Sequence, residues 1–142
     1  MIITMKPLVR TFQLAESPEV EVTVRQASED ENIQRADLFA KSERIFGDDE
    51  VGEVRVKQEY NRRKLHRKEA YLTLASISNL TDENGDELFK VKETKNGTSI
   101  SKGMKEAEFN EAWGLLPATI TEEIVGFVHA VNVTWDPDHK GE

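Results

Sequence analysis

The 142-residue sequence contains no cysteine. Its absence removes disulfide bridges, thiolate metal sites and cysteine nucleophiles together. No apolar run approaches the roughly eighteen residues of a membrane-crossing helix. The opening MIITMKPLVR lacks the continuous apolar stretch of a secretory signal. A cytoplasmic chain without membrane association is expected. The sequence also has no serine elbow, no phosphate-cradling glycine loop and no internal repeat. Hydrophobic residues are modest at 37% and charged residues plentiful at 32%. The core must therefore be lean and the solvated faces large.

What is present fits one domain spanning 1–142. The net charge is −8, which opposes general nucleic-acid binding. Its distribution is uneven. Residues 16–50 carry eleven acids and four bases, residues 53–68 seven bases and two acids, and residues 69–142 fourteen acids and six bases. A basic island thus lies between acidic stretches.

Leu8 to Leu14 and Val20 to Arg25 alternate apolar and polar residues around a Pro-containing turn, predicting a β-hairpin within 1–27. Its valine face needs cover, expected from the helices that follow. Ser28-x-x-Glu31 is a capping box before an acidic first turn, predicting a helix over about 29–46 stopped by Gly47. After a loop at 48–52, helix-forming residues continue from about Glu53 to Ala75, with a strand at 51–57 as the alternative for the first part. Residues 28–77 are accordingly expected to be helical. Asn-Gly pairs at 84–85 and 96–97 make 78–103 turn-rich, with a short strand at 87–93 and a mobile loop at 93–103. Phe109, Ala112, Trp113 and Leu116 line one helix face before Pro117. Ile120, Ile124, Phe127, Val128 and Val131 line a second helix, capped by Thr119 or Thr121. These form a helical pair over 104–135, followed by a flexible tail, 136–142. The expected fold is α+β and mainly helical, with about four helices, the N-terminal hairpin and room for a short second hairpin.

Candidate chemistry is sparse. Asp82-Glu-Asn-Gly-Asp86 has acids around a glycine, and Glu93 falls at the twelfth position of a calcium loop, but the glycine precedes the third ligand, so a polar turn is favoured. Asp136, Asp138 and His139 sit on a tail whose ordering opposes ion binding. His66 belongs to the basic island and His129 to the last helix, so the three histidines fall in separate elements. No catalytic residue, metal ligand set or cofactor is predicted. The sharpest signal is Arg62-Arg63-Lys64-Leu65-His66-Arg67-Lys68. Arg63 with Arg67, and Lys64 with Lys68, form basic ridges four residues apart flanking Leu65. They either dock an acidic partner or balance the protein's own acids. Trp113 suits a core position, whereas Trp135 suits either a packing cap or an exposed anchor.

Glu108-Phe-Asn-Glu-Ala-Trp-Gly-Leu-Leu-Pro117, Glu122-Glu-Ile124, Val128 and Asn132-Val-Thr-Trp135 form a pattern that resembles tail assembly chaperones of long-tailed bacteriophages and prophages. Arg62-Arg63, Leu80–Gly85 and Leu88-Phe89 are also similar, so about half the chain or more is covered. The resemblance implies a small protein of the bacterial host cytoplasm that binds the tape-measure protein, or another tail protein, during tail assembly. A structural tail or neck component is the alternative. A charged helical face or an apolar groove would receive the long helical partner, with Arg62, Arg63, Lys64, Arg67, Lys68 and Trp135 as the binding residues to test. Self-association into a homo-oligomer stays open.

Overall fold

The structure, a computed structural model, describes residues 7–45, 51–95 and 97–138. The stop expected at Gly47, residues 48–50 of the following loop, Asn96 and His139 lie outside them. Strands β1 (Val9–Gln13) and β2 (Glu21–Arg25) form the expected antiparallel hairpin, in register from Val9–Arg25 to Gln13–Glu21. Alternation sends Val20, Val22 and Val24 inward, none more than 4% exposed. Thr11 and Thr23 meet on the opposite face with their hydroxyls 2.9 Å apart.

Helix α1 (Glu29–Ile45) begins with the capping box. Ser28 Oγ accepts from the Glu31 amide at 3.2 Å, and Glu31 Oε1 accepts from the Ser28 amide at 2.9 Å. The same carboxylate receives Arg25, with Nη1 2.6 Å from Oε1, and Arg25 also donates to the Leu72 carbonyl at 2.7 Å. Hairpin, α1 and the next helix are thereby joined by one charge pair.

Helix α2 (Val51–Thr73) is continuous from its start, so the strand alternative at 51–57 and the loop position of Val51 and Gly52 are corrected. It ends at Thr73, whose hydroxyl donates back to the Glu69 carbonyl at 2.8 Å. Strand β3 (Leu74–Ser78) follows at once, which corrects the expected helical span of 28–77. The reason is tertiary. Pairing Glu21 with Ser78 and Val22 with Ile77 satisfies the main chain on β2's second edge while burying Leu74 and Ile77. The sheet order is β1-β2-β3, all antiparallel.

The segment expected to be a mobile loop is a second hairpin, β4 (Lys92–Thr94) and β5 (Gly97–Ser99), closed by the single turn α3 (Ile100–Gly103). The strand expected at 87–93 is reduced to a Thr81–Glu87 bridge and the start of β4. Backbone closeness holds this region in place. A Cβ on Gly103 would come within 2.5 Å of the Val91 carbonyl carbon, so only glycine fits without a shift. Asp82 Oδ1 accepts from the amides of Asn84 (2.8 Å) and Asp86 (3.1 Å), so the acidic segment forms an Asx-type polar turn.

Helices α4 (Glu106–Gly114) and α5 (Ala118–Val131) match the expected pair. Phe109, Ala112, Trp113, Ile124, Val128 and Val131 are buried. The threonine cap is corrected, because α5 starts directly after Pro117, whose carbonyl accepts from the Ile120 and Thr121 amides. Phe109, fully buried, is ringed by Tyr71, Phe89 and Trp113 with centroids 5.2, 5.5 and 5.5 Å away. The valine face of the hairpin is covered mainly by α5, where Phe127 stacks on Phe12 at 4.5 Å. A 3-10 turn (Val133–Trp135) closes the described chain. Within residues 136–138 the Asp138 amide donates to Asp136 Oδ1 at 2.9 Å. The whole is a single mixed α+β domain. Among the described residues no helix is long and apolar enough to cross a membrane.

Candidate functional site

Packing α2 against α5 creates a cleft of about 300 Å³. Arg62, Arg63 and His66 enter it from α2, Trp113 from α4, and Glu122, Val125 and His129 from α5, while Asp136 and Asp138 close one side. One end of the basic island is therefore part of the cleft wall. Two of the histidines, on separate elements as expected, meet across it.

His66 and His129 of the cleft wall both neighbour Glu69 of α2. His66 and Glu69 are three residues apart on α2 and so share its inward face. His129 reaches them from α5. Glu69 Oε1 lies 2.8 Å from His129 Nε2, and Oε2 accepts from Arg35 Nε of α1 at 2.6 Å. The His66 ring meets His129 edge to face, with centroids 5.3 Å apart. Glu69 is fully buried, and an unpaired carboxylate there would carry a large desolvation cost. Arg35 and His129 offset that cost. Arg35 in turn lies over the Trp135 ring at 5.2 Å, and Trp135 Nε1 donates to Asn32 Oδ1 at 2.8 Å. Burial pushes the His66 imidazole below its ordinary value, against the pull of the Glu69 charge and together with repulsion from His129, Arg62 and Arg35. Burial therefore favours the neutral form of the His66 imidazole.

The basic residues singled out in the sequence take different positions along α2. Arg62 and Arg63 stand at the cleft mouth, 55% and 51% exposed, both paired with Glu59, and Arg63 also reaches Glu122 at 3.4 Å. Lys64 covers the Tyr60 ring at 4.5 Å. Arg67 is half-buried, and its charge also reaches Tyr60. Lys68 is mostly covered and donates to Glu106 of α4 at 2.9 Å. The island thus balances several of the protein's own acids. Trp135 is 5% exposed and packs as a cap, so its ring offers no open anchor.

Sequence inspection missed the Arg35–Glu69–His129–His66 cluster. The His66-x-x-Glu69 spacing was visible, but it was masked by the surrounding cations. His129 was hidden beside the apolar stripe of α5. A scan of family models and searches of curated proteins and of solved structures return no match to this chain.

Proposed function

We propose that this chain is a non-catalytic protein-binding domain and, following the pattern from Glu108 to Trp135, a tail assembly chaperone that engages the tape-measure protein. The observation that carries the proposal is the placement of Arg62 and Arg63. They stand more than half exposed at the mouth of a cleft walled by Trp113 and Val125. Exposed ion pairs contribute little, typically about 0–1 kcal/mol, so an acidic residue of a partner can replace Glu59 or Glu122 at small cost. A helical partner carrying acids beside an apolar stripe matches this combination of cation and apolar wall.

Co-expression with the tape-measure protein tests the proposal. Affinity capture should recover both chains, and Arg62→Glu with Arg63→Glu should weaken the complex at least about tenfold, roughly 1.4 kcal/mol. Virions analysed by mass spectrometry should lack the chain. Stoichiometric retention would instead support a structural tail or neck component, and failure to capture the tape-measure protein would remove the chaperone assignment.

A further inference from the structure

We infer that His66, Glu69 and His129 form a binding site for a divalent transition-metal ion, with zinc the best-matched occupant. Two imidazoles and one carboxylate suit such ions, whereas calcium and magnesium favour oxygen ligands alone. The donor atoms of the three residues lie within 4.8 Å of one another. Small side-chain rotations bring donors at that separation to roughly 2.0–2.2 Å from one ion. All three stand on helices α2 and α5, which are packed against each other, rather than on loops.

The surroundings support coordination. Arg35 engages Oε2 of Glu69 and leaves Oε1 on the histidine side, the outer hydrogen bond that orients a coordinating carboxylate. Both histidines border the 300 Å³ cleft, which gives an ion a path inward and leaves room for water as a fourth ligand. Asp136 and Asp138 line the same cleft as His66 and His129. The ion would replace the His129–Glu69 hydrogen bond and join α2 to α5. This site does not depend on the identity of the protein partner.

Cobalt(II) titration of the full chain at pH 7.5 tests the site, followed by zinc competition and thermal denaturation with and without zinc. The expected result is one cobalt per chain, visible absorption that zinc displaces, and a higher Tm in zinc. His66→Ala should abolish the absorption while leaving metal-free circular dichroism as in the parent, because His66 is only half-buried at the cleft. Arg35→Lys should weaken binding on the order of 10- to 100-fold. Absence of both cobalt absorption and a zinc-dependent Tm rise in the parent overturns the inference. So does undiminished binding in His66→Ala, which would assign the ion to surface carboxylates.

Discussion

Both tyrosines of the chain stand on α2, yet their surroundings push them to opposite sides of the ordinary phenol pKa. Lys64, whose ammonium stands over the ring, holds Tyr60 low. Burial holds Tyr71 high, helped by Glu106 and Glu108, and the Tyr71 hydroxyl donates to the carbonyls of Ser101 (3.3 Å) and Met104 (3.0 Å). Absorbance at about 295 nm during alkaline titration should therefore show two steps, one below and one above roughly 10. Tyr60→Phe should remove the lower step and Tyr71→Phe the upper. Because Tyr71 keeps its proton in the folded state where the unfolded chain has lost it, its contribution to stability is complete below about 10 and is lost as pH rises through the folded value. Tyr71→Phe should flatten that alkaline fall. A single step for the parent would contradict the assigned environments.

Between elements, Asn132 shows how a few polar atoms fix the relation of helix to sheet. At the end of α5 its Oδ1 accepts from the Ala27 amide at 2.8 Å, and its Nδ2 donates to the Arg25 carbonyl at 3.2 Å. The side chain is buried, so Asn132→Ala leaves the Ala27 amide without this partner, at a cost of about 1–3 kcal/mol. Chemical denaturation should show a lower midpoint with an unchanged slope; a loss below about 0.5 kcal/mol would mean that water replaces the amide. Such links also mark the limit of what the sequence discloses. The β1–β2 hairpin, the Ser28 capping box and the α4–α5 stripes were legible because each depends on spacing within one segment. β3 was not, because Leu74-Ala-Ser-Ile-Ser78 carries no glycine or proline to end the helix, and its strand conformation depends on β2. The Glu69 cluster was illegible for the same reason, since Arg35, Glu69 and His129 come from three helices.

At the scale of the molecule, the basic island competes with a net charge of −8 and with its own neighbours. Glu59 holds Arg62 and Arg63, Glu122 reaches Arg63, and Glu106 holds Lys68. Duplex DNA must displace these carboxylates and also approach a surface of like charge. Its affinity derives largely from counterion release by free cations. A protein that tracks phosphates would present those cations together on one side. Here Arg62 and Arg63 border the cleft, whereas Lys68 turns towards α4. Electrophoretic shift assays with duplex DNA and single-stranded RNA at about 0.1 M salt should accordingly give no discrete complex. Exposed Arg–Glu pairs weaken with salt, so the decisive measurement is a salt series. Nucleic-acid affinity that falls linearly in log salt, and vanishes on replacing Arg62 and Arg63 with alanine, would assign this face to phosphate recognition in place of the proposed protein binding.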